Sequence, residues 1–222
     1  MKKNFEDTFR HQAMRKHLVE IVREKGIKDE AVLNALMKVP RHFFMDTALE
    51  KIAYEDRAFP IAAGQTISQP FTVAYQTELL RLKPFDKVLE IGTGSAYQAT
   101  ILAELKAQVF TIERQKELFD ERARNFPFVG KYPLLKFFYG DGFKGLPTFG
   151  PFDKVLVTAA TPYVPEPLIE QLKPGGCLVI PVDEGSNAQR MKRISKDEKG
   201  NLKEELFALF HFVPMVEGKN PR

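Results

Sequence analysis

From Lys87 onward the chain alternates short apolar runs with helix-length segments, and this alternation limits the fold more than any other feature. Residues 87–94 (KVLEIGTG), 108–114 (QVFTIER), 134–142 (LLKFFYGDG), 152–160 (FDKVLVTAA) and 175–182 (GGCLVIPV) read as strands. Residues 97–106, 115–126 and 165–172 read as helices, the last opened by Pro165. Strands that alternate with helices run parallel, because each return needs a crossover. The last two strand candidates, 189–196 and 204–215, are separated only by the turn DEKGN, so they form an antiparallel hairpin on the sheet edge. The expected fold is α/β: a doubly wound, mostly parallel seven-stranded sheet with its ligand in the crevice beyond the carboxyl ends of the strands.

Residues 1–53 read as an N-terminal helical cap. A charged helix covers 5–25, and a second starts near Asp29, with Val32, Leu33, Leu36 and Met37 on one face and Pro40 after it. Residues 54–71, rich in proline, glycine and small polar residues, read as an ordered functional loop. A helix over 72–82, stopped by Pro84, opens a core over 72–222. No linker interrupts the 222 residues, so a single domain is expected.

The charge balance, 33 − 29 = +4, is slight, and Arg190, Lys192, Arg193 and Lys196 are followed at once by Asp197 and Glu198. They read as a solvated strand edge, and no nucleic-acid partner is expected. Cys177 lies in an apolar run and reads as core, while His11, His17, His42 and His211 show no metal-ligand spacing, so no metal is expected. The charged start lacks the apolar run of a signal peptide, and no stretch has the length of a membrane span. A cytoplasmic monomer without a membrane partner is the expectation.

The strand 88–91 enters Gly92–Thr93–Gly94–Ser95–Ala96–Tyr97, a turn in which missing Cβ atoms let a ligand approach the backbone. A dinucleotide fingerprint would place its third glycine at Tyr97, which disfavours hydride transfer. Glu113 stands 113 − 92 = 21 residues after the first glycine, where an acid can accept both hydroxyls of a ribose. Glu90, two residues before the loop, would repel a pyrophosphate but favour an ammonium or sulfonium. Asp141, in Gly140–Asp141–Gly142, is a third acid at a strand end, suited to an adenine amino group. Together they follow the logic of an S-adenosylmethionine site.

The segment Gly64–Gln65–Thr66–Ile67–Ser68–Gln69–Pro70, with VLEIGTGSAYQ, resembles the protein-L-isoaspartate O-methyltransferase family. Val39–Pro40–Arg41, Tyr54–Glu55–Asp56, Phe59–Pro60–Ile61, Gly140–Asp141–Gly142, Val157–Thr158–Ala159–Ala160, Leu172–Lys173–Pro174–Gly175–Gly176 and Phe212–Val213–Pro214 follow in family order. The resemblance implies a Rossmann-like methyltransferase sheet and transfer of a methyl group from S-adenosyl-L-methionine, leaving S-adenosyl-L-homocysteine. The implied acceptor is the free carboxylate of L-isoaspartyl residues in damaged proteins and peptides, a first step of repair; D-aspartyl residues stay open as a further acceptor.

By the same resemblance Ser68 is the active-site residue, with Thr66, Ile67 and Gln69 on the substrate side. Gly92, Gly94, Ser95, Glu113, Asp141 and Gly142 match the family's cofactor side, and Glu90, Thr93 and Arg114, beside them in sequence, are expected to join it. The chain departs from the family at Ala96 and Ala62, where glycine is usual, and at Phe143, often tryptophan. Ala96 is expected to add a methyl group against the cofactor. A methyltransferase acting on another substrate class and a non-catalytic S-adenosylmethionine-binding protein are the alternative readings.

Overall fold

The computed structural model describes residues 5–185 and 188–221. Helix α1 (Phe9–Glu24) starts at Thr8, whose hydroxyl caps the His11 N–H while the His11 ring returns to the Thr8 N–H. Helix α2 (Glu30–Lys38) is capped by Asp29, which accepts from the N–H groups of Ala31 and Val32, and Val39–Pro40 ends it. The apolar faces of both helices share one cluster with Val73, Ala74, Ala96, Tyr97 and Ile101, so the cap is packed onto the α/β unit.

The stretch read as a loop holds a miniature antiparallel ribbon of β1 (Phe59–Pro60) and β2 (Thr66–Ile67), pairing Phe59 with Ile67. Two-residue strands are too short for a period to be legible. Helix α3 (Pro70–Leu80) begins two residues earlier than the sequence suggests, with Pro70 in its first turn, and Arg81 closes it in the left-handed conformation.

The main sheet comprises β3 (Lys87–Ile91), β4 (Gln108–Glu113), β5 (Leu135–Tyr139), β6 (Phe152–Val157), β7 (Leu172–Asp183), β8 (Gln189–Lys196) and β9 (Leu202–Phe210). Their spatial order is β5-β4-β3-β6-β7-β8-β9; the first five strands are parallel, and β8 and β9 are antiparallel. Helices α4 (Tyr97–Glu104), α5 (Lys116–Asn125) and α6 (Glu166–Glu170) complete the wind. Alternation sends Leu89 and Ile91 to the face shared with Phe110, Val155 and Ile180, and Val88 to the opposite face with Val109, Leu156 and Val179. Both faces are covered, which is why β3 reads as continuous apolar sequence around Glu90.

Two strand boundaries also differ from the sequence reading: β9 ends at Phe210 and not near 215, and β7 starts earlier. Leu172 ends no helix; it begins β7 opposite Phe152, and an irregularity then shifts the register to Lys154 opposite Cys177. The order of the sheet reverses at β3, whose neighbours are β4 and β6. A crevice therefore opens where these strands end.

Candidate active site

The turn after β3 is built around two glycines. Gly92 has φ +98°, and a Cβ there would lie 2.6 Å from the Thr158 Oγ1. That hydroxyl sits 2.9 Å from the carbonyl oxygens of Ile91 and Gly92, fixing the end of β6 against the turn. Gly94, with φ +50°, donates its N–H to Glu113 Oε2 at 2.8 Å. Glu113 Oε1 accepts from the Gln115 N–H at 2.8 Å. The Thr93 hydroxyl meets that of Thr111 at 2.6 Å, and Arg122 from α5 donates to the Ser95 carbonyl at 3.1 Å. The loop is thus held from three elements.

Glu113 is nearly buried at the end of β4, yet it lines the cavity beside the loop. Burial raises its pKa, and the N–H groups of Gln115 and Gly94 pull it back. With one lone pair of each oxygen committed to backbone, its free acceptor capacity faces the cavity.

The opposite wall is Gln65, Thr66, Ile67 and Ser68. The two loops abut: a Cβ on Gly94 would stand 3.7 Å from Ile61 Cδ1 and 4.0 Å from the Thr66 carbonyl oxygen. A third wall comes from Thr158 and Ala159 and from the C-terminal segment Val213, Pro214, Met215 and Val216. That segment is strapped down by Ala160 N–H to the Val213 carbonyl at 2.8 Å and Met215 N–H to the Ala160 carbonyl at 2.7 Å.

Of the residues singled out from the sequence, Thr66, Ile67, Ser68, Gly92, Thr93, Gly94, Ser95, Glu113, Arg114 and Gly142 share this cavity. Gln69 does not line it; its amide nitrogen is 3.0 Å from the carbonyl and carboxylate of Asp56, anchoring the loop from behind. Asp141 stands beside Gly142 outside the lining, capping the Phe143 N–H at 3.0 Å.

Glu90 requires a correction. It is fully buried beneath the loop, and neither carboxylate oxygen has a hydrogen-bond partner among the described residues. Burial pushes its pKa up to about 8, with the Thr111 hydroxyl pulling the other way, so the site disfavours the negative charge expected there. Ala96 is corrected too. It has φ +68° and is buried with Tyr97 and Ile101 in the cap cluster, so its methyl group packs into core and not against the cavity. Ala62 lies in the turn Ala62–Gly64, also off the lining.

The sequence reading missed Tyr97, Gln98 and the C-terminal wall. Val213–Pro214 and Thr158–Ala159 were visible as family landmarks without a role. Gln98 is buried and donates to the Thr77 hydroxyl at 2.9 Å, while its Oε1 has no partner among the described residues.

Comparison with known proteins places this geometry among relatives. Residues 13–220 match the family model described as protein-L-isoaspartate(D-aspartate) O-methyltransferase. A protein-L-isoaspartate O-methyltransferase of Flavobacterium johnsoniae is 50% identical over 214 residues, covering 96% of this chain and 99% of that one. The namesake of Cytophaga hutchinsonii is 51% identical over 211 residues, covering 95% and 94%. Among solved structures, a protein-L-isoaspartate O-methyltransferase superposes with a TM-score of 0.80 at 28% identity, over 90% of this chain and 65% of that chain. A putative one from Plasmodium falciparum, in complex with S-adenosyl-L-homocysteine, gives 0.78 at 25% identity over 91% and 98%.

Proposed function

This chain belongs to the protein-L-isoaspartate O-methyltransferase family and methylates isoaspartyl residues of damaged proteins; from that premise we propose which of its residues divide the work. The observation that carries the reading is the abutment of the Gly92–Ser95 loop and the Gln65–Ser68 loop across one cavity. Donor and acceptor then meet with no further element between them.

The residues fit S-adenosylmethionine. The Gly92–Ser95 loop lines the cavity with backbone, Glu113 offers acceptors for ribose hydroxyls, and the unpartnered Gln98 Oε1 offers another for an N–H or ammonium. When bound, the donor supplies a methyl group on an electron-poor sulfonium. The acceptor is a carboxylate with an ordinary pKa near 4, ionised at neutral pH, so it needs orientation more than a base. With the donor held beside Glu113 and the Gly92–Ser95 loop, a carboxylate oxygen would take the methyl group and the carbon–sulfur electron pair would leave with sulfur. Ser68 orients that oxygen with its hydroxyl, and Thr66 and Ile67 wall the acceptor side. Proximity of this kind supplies on the order of 7–11 kcal/mol of barrier lowering.

The same proposal takes the enzyme to be a cytoplasmic monomer acting on proteins and peptides, not on nucleic acid or membrane. Among the described residues no helix is long and apolar enough to cross a membrane. Radiolabel transfer from the donor to an isoaspartyl peptide, beside its normal aspartyl twin, tests the assignment. Label in the isoaspartyl peptide alone is expected; equal labelling of both, or of neither, overturns it.

A further inference from the structure

Arg41 is a large side chain wholly withdrawn from water. Burial lowers its pKa to about 10, so it remains a cation at neutral pH. Among the described residues no carboxylate lies within ion-pair distance of it; Asp56, whose charge it feels, is paired with Lys25 at 2.6 Å. Such a charge needs hydrogen-bond acceptors or ring faces in place of the water it has lost.

The two Nη nitrogens of Arg41 donate to three main-chain carbonyls from three separate stretches, while the Nε N–H has no partner among the described residues. Nη1 donates to Ala53 at 2.5 Å, at the end of the cap, while Nη2 donates to Arg57 at 3.0 Å, ahead of β1, and to Ser68 at 3.1 Å, just after β2. The guanidinium also lies over the rings of Phe59, at 5.3 Å, and Tyr97, at 6.0 Å. Ser68 and Tyr97 line the cavity; Arg41 stands behind them.

We propose that Arg41 is a positioning residue of the transfer reaction, its rigid fork fixing the main chain at Ser68 and thereby aiming the Ser68 hydroxyl at the acceptor carboxylate. The inference rests on the reading of Ser68 given above. A lysine keeps the charge but has no planar fork, so it cannot hold the three carbonyls in one geometry.

The test is a double-mutant cycle of wild type, Arg41→Lys, Ser68→Ala and the pair, with turnover of an isoaspartyl peptide at saturating donor and donor Kd by calorimetry. Arg41→Lys is expected to lower kcat about 10-fold, which is about 1.4 kcal/mol, with donor Kd within about two-fold of wild type. In the Ser68→Ala background the same change should cost less than about two-fold, because the aimed hydroxyl is already gone. A merely structural role would leave the two losses multiplying. Multiplying losses, or wild-type kcat in Arg41→Lys, overturn the proposal. Wild-type turnover in Ser68→Ala overturns the reading of Ser68 itself, so the two failures are told apart. Phe59→Leu removes the ring beneath the guanidinium but none of its donors; it gives the same readout from a milder change and stands in should Arg41→Lys not fold.

Discussion

Ser68 lines the cavity while its carbonyl accepts a hydrogen bond from Arg41. Ser68→Ala should therefore lower turnover by about 5-fold to 150-fold, the worth of one hydrogen bond of about 1–3 kcal/mol, and leave donor affinity intact. A loss of many powers of ten, or a methylated Ser68 in a mass spectrum, would mean a covalent nucleophile instead. Glu113 acts on the other reactant. Glu113→Ala removes acceptors from the donor side and also orphans the N–H groups of Gly94 and Gln115. Donor Kd by calorimetry should rise at least about 10-fold, from bonds worth about 1.5–3 kcal/mol each, with a smaller change in peptide KM. Ala96 gives the opposite expectation. Its methyl group is in the core and its φ is +68°. Ala96→Gly should relieve about 1–2 kcal/mol of backbone strain against about 0.8 kcal/mol of lost burial. Donor Kd should be unchanged, and a weakened Kd in the folded variant would show that the methyl shapes the site after all.

At the scale of elements, the Gly92 turn and the end of β6 form one joint. Gly92→Ala meets the Thr158 hydroxyl and also forces an L side chain into φ +98°. Removing the hydroxyl with Thr158→Ala should recover only part of the lost melting temperature, because the backbone strain of about 1–3 kcal/mol remains. Full recovery would show that the clash alone matters. Much of this scale was legible in sequence. The strand periods, Asp29, Pro84 and the turn at 197–201 are local signals, and the structure follows them closely. The basic run was expected on a solvated strand edge, but β8 lies between β7 and β9, and its charges are met by pairing: Arg190 with Glu184, Lys192 with Glu204, and the buried Arg193 with Glu205. What was not legible depended on distance along the chain. Glu90 looked like a free acid because its burial is set by strands and loops far apart in sequence. The wall from Val213 to Val216 is held at the cavity by bonds to Ala160, more than fifty residues upstream. Ala96 looked like an intruder on the cofactor because its neighbours Gly94 and Ser95 do face the cavity, whereas the left-handed turn sends its own methyl inward.

At the scale of the whole molecule, two buried groups tilt stability with pH in opposite senses. In the cap, the rings of His11 and His42 stack with centroids 3.9 Å apart, and their ligating atoms and that of Asp7 lie within 4.8 Å of one another. Histidine spacing gave no hint of this grouping. Its donors are engaged: His42 Nε2 reaches the Glu6 carbonyl at 3.1 Å, its Nδ1 meets the Tyr54 hydroxyl at 2.7 Å, and His11 Nε2 lies 2.8 Å from Glu50. Burial lowers the His42 pKa. A histidine kept neutral in the fold stabilises it above its ordinary value of about 6.5, and that stability is lost as pH falls below it. Glu90 runs the other way. Its pKa is raised from 4.5 to about 8 by burial, so its contribution is full below the ordinary carboxylate range and is lost as pH rises towards 8. Glu90→Gln places a neutral group of the same shape in the same cavity and removes that dependence. Denaturant melts of the ligand-free protein should show the variant gaining on wild type between pH 4.5 and 8. Each tenfold change in an acid constant on folding is worth about 1.4 kcal/mol, so the gain approaches about 5 kcal/mol. The low-pH loss from His42 should persist in both proteins and be absent from a neutral replacement there. A wild type and a Glu90→Gln variant that keep a constant difference across this range would show that Glu90 is ionised in the fold, restoring it as a negative charge beneath the donor loop.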